Sequence, residues 1–415
     1  LTYTTPHAAR DALRWRHLTL GLARERAASL GLEGAAFPWR TIRGQECSGY
    51  WPAGTGAFHV NADIADAVVR YQAAGDHDEA FASGIGLELL VETARLWRSL
   101  GHHDAAGRFR IDGVTGPDEY SAIADNNIYT NLMAERNLRE AFEGAKRYPQ
   151  RAAELGVDDE EAAAWRDAAQ VMLIPYDEEL EVHAQAESFT EHEIWDFEAT
   201  APEQYPLLLH FPYFDLYRKQ VVKQADLVLA LHLRGDVFGE EQKARDFAHY
   251  EQLTVRDSSL SACTQAVVAA EVGHLELAYD YLGEAALIDL DDIQHNTRDG
   301  LHIASLAGTW VAAVAGFGGM RDHNGILSFA PRLPQALTRL TFRLCFRGRR
   351  LLVDVGPEQA AYSLRQGASL EIVHHGEKLT IDGPRPQTRP IPPAPPREAP
   401  GQPPGRAPKR RGAPS

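Results

Sequence analysis

Apolar residues recur at helical spacing over roughly the first three quarters of the chain. Between Gly86 and Leu100, Leu87, Leu90, Val91, Ala94 and Trp97 fall on one face, the pattern of a helix with one buried side. The period returns from Tyr217 to Leu231 through Val221, Val222, Ala225 and Val228, and from Ile303 to Phe317 through Leu306, Ala307, Trp310, Val311 and Val314. Further windows predict helices near 6–30, 57–73, 126–146, 158–173, 239–252, 260–272 and 275–287. About ten helices with long Gly- and aromatic-rich loops predict a helical array or an α/α barrel rather than a simple bundle.

From about residue 323 the texture changes. Gly325–Phe329, Leu340–Arg347, Arg350–Val355, Ala361–Leu364, Ser369–His374 and Lys378–Ile381 are short and strand-like, with Gly348, Gly356, Gly367 and Gly376 as turns. The pattern divides the chain into a helical region, 1–322, a small β-sheet domain, 323–383, and a tail, 384–415. The tail holds 12 of the 24 prolines and almost no large apolar side chain, so it is expected to be disordered: it buries too little to offset its ordering entropy.

Charge adds a constraint. The net charge is −16, yet the tail carries seven Lys/Arg against one acid, leaving a +6 tail on a −22 body. An acidic body argues against nucleic acid as a partner. No apolar run approaches the ~18 residues of a membrane span, and the first residues show neither the basic nor the apolar region of a signal peptide. Cys47, Cys263 and Cys345 are scattered with no metal-ligand spacing, which fits a reducing, cytoplasmic setting.

The most informative stretch is Asp112-Gly-Val-Thr-Gly-Pro-Asp-Glu-Tyr120, followed by Asp125-Asn-Asn127. Gly113, Gly116 and Pro117 exclude a helix interior and predict an ordered loop between helices. Such a loop would carry Asp118 and Glu119 at the mouth of a helical scaffold, and a carboxyl beside Pro117 and Tyr120 would be partly desolvated, a setting that suits a general acid. Asp125 is the expected N-cap of the next helix. A helix-capping loop with surface acids reads equally well on pattern alone.

This stretch resembles the acid-bearing loop of glycoside hydrolase family 65, the maltose, trehalose and kojibiose phosphorylases. Further blocks resemble the family in order: Phe37–Gly44, Glu46–Ser48 and Pro52–Thr55, Asn61–Ala65, Val222–Asp226, Asp257–Ser261, Asp299–His302, Gly308–Trp310 and Gly316–Arg321. The resemblance implies a mainly α fold, an (α/α)6 barrel followed by a small β-sheet domain. It further implies that the family's N-terminal β-sandwich, first barrel helices and a Phe-Trp-Asp-x-Glu block are not in this sequence, so that the barrel is incomplete and exposes apolar flanks, each ~100 Å2 costing about 2.5 kcal/mol.

By the same resemblance Glu119 is the general acid, Lys223 and Gln224 hold the donor glucosyl unit, and Ser258, Ser259 and His302 form the phosphate pocket with backbone N–H groups around Gly300. Hydroxyls, amides and imidazole can all donate to an oxyanion. Arg256 stands where the family usually has His. Trp39, Glu46, Tyr50 and Trp51 are candidates for the acceptor subsite, an aromatic face and a carboxylate suiting a sugar ring; loop packing is the competing role for the two Trp. The PWRTIRG block is closer to trehalose and kojibiose phosphorylases than to maltose phosphorylases.

The expected reaction is inverting phosphorolysis of an α-linked glucose disaccharide, trehalose first, to β-glucose 1-phosphate and glucose. No metal or organic cofactor is implied; disaccharide and inorganic phosphate are the small-molecule partners, and the family tends to homodimers. An inverting hydrolase would need a second carboxylate, Asp257 or Asp299, to activate water. A non-catalytic carbohydrate-binding protein is the third reading.

Overall fold

The computed structural model describes residues 1–49, 52–76 and 78–411. It divides into two compact units, Leu1–Glu191 and His192–Ser415.

The first unit packs helices Pro6–Leu18, Leu20–Ser29, His59–Ala74, Leu87–Leu100, Ile128–Arg147 and Asp159–Gln170. Ile128–Arg147 is the centre: it touches His59–Ala74, Leu87–Leu100 and Asp159–Gln170. The stripe predicted on 86–100 is real, with Leu87, Leu90, Val91, Ala94 and Trp97 all buried. Burying each large side chain contributes roughly 1.5–3 kcal/mol. Trp97 brings a polar N–H inside, which donates to Asn137 Oδ1 at 2.9 Å, so its burial leaves no donor unmatched.

Capping sets where the central helix starts. The cap is Asn127, not Asp125: the Asn127 side chain accepts the Thr130 N–H at 3.0 Å. Asp125 instead accepts the Gly113 N–H at 2.9 Å, stapling the loop before the helix. Asp158 caps Asp159–Gln170 by accepting the Glu161 N–H, with three acids in the first turn to complement the helix dipole.

In the second unit, helices Asp226–Leu233, Glu240–Glu251, Ser261–Val272, Leu275–Leu287 and Ile303–Val311 precede a π-helical turn, Ala312–Phe317. The helix expected from Tyr217 is corrected here. Helix starts only at Asp226; Lys219–Gln220 is a short strand, and Val222 bridges Thr254 in parallel. Val221 and Val222 are fully buried by that pairing, which imitates a helical stripe.

Strands follow. One antiparallel sheet has the order Gln387–Pro390, Gln359–Gln366, Arg349–Val355, Leu340–Phe346. The other runs Glu377–Ile381, Leu370–His374, Ser328–Phe329, Met320–Arg321, with its middle pair parallel. Leu351, Val353 and Val355 alternate inward opposite Leu344, Phe342 and Leu340, all but Leu340 buried, the period-2 burial expected of a one-sided sheet.

The expectation of a disordered tail is overturned through Arg411. Gln387–Pro390 is an edge strand, and Pro390 is tolerated there because an edge leaves its missing donor unneeded. His374 Nε2 donates to Pro390 O at 2.9 Å while the Tyr362 hydroxyl meets His374 Nδ1 at 2.7 Å. Beyond it Arg397, Arg406, Arg410 and Arg411 pair with Glu241, Asp257, Asp280 and Asp291. What the tail lacks in apolar surface is supplied by charge complementary to the acidic body.

Candidate active site

The acid loop is built by its own backbone. Val114 and Ala124 pair across it, Asn126 donates its N–H to Ile111 O at 2.8 Å, and the Thr115 N–H reaches Gly56 O at 2.9 Å. Gly113 takes a left-handed φ of +67° to make the turn. Asp118 is fully buried and accepts from Gln185 Nε2 at 2.8 Å and from the Tyr120 N–H at 3.2 Å. With its neighbours Asp118 and Tyr120 both buried, Glu119 is half-buried between them. The Gln185 carbonyl also accepts the Ile128 N–H at 2.9 Å, so one residue fastens both the loop and the helix after it. Asp118, expected at the mouth of the scaffold, is instead a buried anchor of the loop, and its partner Gln185 was missed by the sequence reading; nothing in the irregular stretch around 185 marks it.

Asn61 joins two of the sequence blocks, its Oδ1 accepting the Phe37 N–H at 2.7 Å. Glu46 has a different task from the one expected. Its carboxylate accepts the N–H groups of Trp39, Arg40 and Ser48 at 2.9, 3.3 and 3.0 Å and the Ser48 hydroxyl at 2.6 Å. Burial pushes this carboxyl up, but the Ser48 and backbone donors outweigh it and hold it below its ordinary range. Glu46 thus folds the 39–48 loop rather than offering a carboxylate to a sugar. Arg40 lies 4.2 Å from the centre of the Trp39 ring and covers one face, a cation–π contact. Tyr50 and Trp51 lie outside the described residues.

In the second unit, backbones 222–225 and 253–258 run side by side, Val222 N–H to Leu253 O and Val255 N–H to Val222 O each at 3.0 Å. This brings Lys223 and Gln224 against the serine segment: Ser258 Oγ donates to Gln224 Oε1, and Ser261 Oγ donates to Lys223 O at 2.9 Å. Lys223 and Gln224 therefore sit in the approach to helix Asp226–Leu233, not on a helix. Ser258 also accepts the Leu260 N–H at 3.2 Å, so its proton is committed to Gln224 and Ser259, half-buried, is the hydroxyl better suited to an anion.

His302 arrives at the same end. A Cβ on Gly308 would come within 2.6 Å of Cys263 Sγ, and one on Gly316 within 3.4 Å of Val267 Cα, so Ile303–Val311 and Ser261–Val272 run in one direction. Their N-termini, carrying His302 and Ser258–Ser259, lie together. At the other end Lys243, against Gly235, donates to Glu271 at 2.7 Å, and Arg321 donates to Glu271 at 2.6 Å. Three parallel helices are thus tied at their C-terminal ends, and their N-termini present positive dipole ends suited to an anion.

Asp289 orients His302, accepting from Nδ1 at 2.6 Å and from its N–H at 3.0 Å, and the His302 bonds hold the Asp289 carboxyl below its ordinary range. With Nδ1 so engaged, Nε2 can donate to an anion only as imidazolium. One expectation needs correction. The Gly300 N–H donates to Thr297 O at 3.1 Å, so it closes a turn, and φ +138° explains the glycine. Arg256 is buried and paired with Glu284 at 3.1 Å rather than turned to the serines.

The chain matches the glycosyl hydrolase family 65 central catalytic domain over residues 1–311 and that family's C-terminal domain over residues 320–381. It is 57% identical over 421 residues to an uncharacterized glycosyl hydrolase of Mycobacterium tuberculosis, covering 100% of this chain and 52% of that protein. It is 44% identical over 392 residues to an alpha,alpha-trehalose phosphorylase of Geobacillus stearothermophilus, covering 92% and 51%. A solved structure described as "Putative kojibiose phosphorylase from human microbiome" superposes with a TM-score of 0.86 at 28% identity, covering 94% of this chain and 58% of that one. The chain spans about half the length of the curated relatives it matches. Its helical region and following β-sheet unit fit the expected architecture, and the chain belongs to glycosyl hydrolase family 65.

Proposed function

We propose that the protein is an inverting disaccharide phosphorylase acting on an α-linked glucoside, trehalose before kojibiose or maltose. Phosphate, held by Ser259, His302 and the clustered helix N-termini, attacks the anomeric carbon from the face opposite the leaving group. The new C–O bond forms as the glycosidic bond breaks, and Glu119 donates its proton to the departing oxygen. The products are β-glucose 1-phosphate and glucose, and because phosphate is already anionic no base is required. Lys223 and Gln224 bind hydroxyls of the glucosyl unit.

The observation that carries this reading is the Ser258–Gln224 hydrogen bond, which joins the sugar-holding pair to the serine segment at helix ends suited to an anion. A hydrolase would need a carboxylate there to activate water. Asp257 has one oxygen on the Leu207 N–H and the other on Arg406, and the Asp299 side chain is 74% exposed. Neither suits a general base. The trehalose preference rests on the 44% and 42% identities to trehalose phosphorylases, against 31–32% to maltose and kojibiose phosphorylases. The three free cysteines agree with a reducing, cytoplasmic compartment. The test is a disaccharide panel with and without inorganic phosphate. Phosphate-dependent consumption of trehalose is expected; equal glucose release in both arms would favour hydrolysis.

A further inference from the structure

The proline-rich segment lies along the second unit through charge contacts. Arg397 forks onto Glu241 at 2.9 and 2.8 Å, Gln402 Nε2 donates to the buried Glu251 at 2.9 Å, and Arg410 reaches Asp280 at 3.1 Å. Between them, Arg406 touches the segment that carries the candidate phosphate serines. Its Nε donates to Val255 O at 2.7 Å, its Nη2 to Asp257 Oδ1 at 2.9 Å, and its guanidinium lies 4.3 Å from the centre of the Tyr205 ring.

The electrostatics give these contacts a purpose. The Asp257 side chain is 1% exposed, and its second oxygen accepts the Leu207 N–H at 2.8 Å. A buried carboxylate thus stands one residue before Ser258, where an incoming dianion would be repelled. Such a charge is costly unless paired. Arg256, the preceding residue, is paired with Glu284. Arg406 of the tail pairs with Asp257 at 2.9 Å.

We propose that Arg406 is a positioning residue for phosphate: it fixes Val255–Asp257 against the tail and cancels the Asp257 charge, so that phosphate binds beside a neutral pair rather than a buried anion. The inference rests on the phosphate subsite of the phosphorylase reading. A lone structural strap would tolerate any side chain that keeps the packing over Tyr205; a charge-cancelling residue would not. Arg406→Met keeps the apolar stem and removes the charge, Arg406→Lys keeps a charge, and Arg406→Met with Asp257→Asn removes both.

The experiment titrates inorganic phosphate into the protein by calorimetry and, in parallel, measures trehalose phosphorolysis. Arg406→Met should weaken phosphate binding about tenfold, about 1.4 kcal/mol, and raise the phosphate KM with kcat and the trehalose KM little changed. The Lys variant and the double variant should recover most of the affinity. Hydrogen exchange over 253–260 checks that the Met variant remains folded; should it not, the Lys variant and the double variant, compared with Asp257→Asn alone, carry the test. Unchanged affinity in Arg406→Met, no recovery in the other two, or no phosphate binding by the parent overturns the proposal. Phosphate binding that depends on Arg406 without any phosphorolysis would sustain it and overturn the phosphorylase reading instead.

Discussion

Replacing Glu271 by Gln should loosen the second unit in a way that depends on pH. Glu271 ties Lys243 and Arg321 at 2.7 and 2.6 Å, closing the ends of three helices whose opposite ends carry Lys223, Ser258–Ser259 and His302. Burial pushes its carboxyl up, but Arg321 and Lys243 outweigh that and hold it at about 2, against an ordinary 4.5. A carboxyl whose folded value is depressed contributes stability that is present above the unfolded value and lost as pH falls through the folded one. That depression corresponds to about 3 kcal/mol at neutral pH. Removing one partner also strands two cations, so the loss can approach the roughly 3–5 kcal/mol seen when such pairs are broken. The assay is hydrogen exchange over Ser261–Val272 at pH 7 and pH 3, corrected for intrinsic rates, comparing Glu271→Gln with the parent. The opening free energy should differ by about 3 kcal/mol at pH 7, and the difference should shrink substantially at pH 3. A difference below about 0.5 kcal/mol at pH 7, or one that does not change with pH, would refute the reasoning.

Other consequences follow from the same contacts. Gln185→Leu removes the side-chain donor to the buried Asp118 and should cost about 1–3 kcal/mol in stability. It should lower kcat more than it changes the trehalose KM, because Glu119 loses its mount; steady-state kinetics with a thermal melt separate the two effects. Asn127→Ala removes the cap of the central helix of the first unit and should destabilise it by about 1 kcal/mol, read by urea unfolding. A neutral result there would place the helix start elsewhere. Glu46→Gln keeps the shape but weakens four acceptor contacts, so proteolysis in the 39–48 loop should accelerate while activity falls only modestly; unchanged cleavage would deny Glu46 its role in folding the loop.

The helical period was legible where one element buried one continuous stripe, as in Leu87–Leu100; at Ile303–Val311 it found the helix but not its buried face, since Ser305 and Gly308 are buried there while Leu306 is 40% exposed. It misled at 217–225 because Val221 and Val222 are buried by a neighbouring backbone, and a buried adjacent pair at an extended bridge mimics a helix face. The β unit was readable from alternation, whereas its edge strand Gln387–Pro390 was hidden by prolines that an interior strand would forbid. The tail misled more deeply. Composition reports apolar burial, and this segment is held by Arg397, Arg406, Arg410 and Arg411 against acids distributed from Glu241 to Asp291, a complementarity visible only once the chain has folded.

At the candidate site the motifs located the right segments but not each atom's task. Ser258 gives its proton to Gln224, Gly300 closes a turn, and Glu46 ties its own loop. Conversely Gln185, Asp289 and Arg406, each far in sequence from or outside the motif it serves, could be found only by geometry. Motifs mark segments whose local chemistry is demanding; long-range supports leave no local pattern.

The central claim is most directly tested by following trehalose and inorganic phosphate with the parent and with Glu119→Gln by proton nuclear magnetic resonance. The account predicts β-glucose 1-phosphate as the first anomer formed, only when phosphate is present, and a loss of about 100- to 10,000-fold in the Gln variant. Formation of the α anomer, glucose release without phosphate, or an unimpaired Gln variant would contradict it.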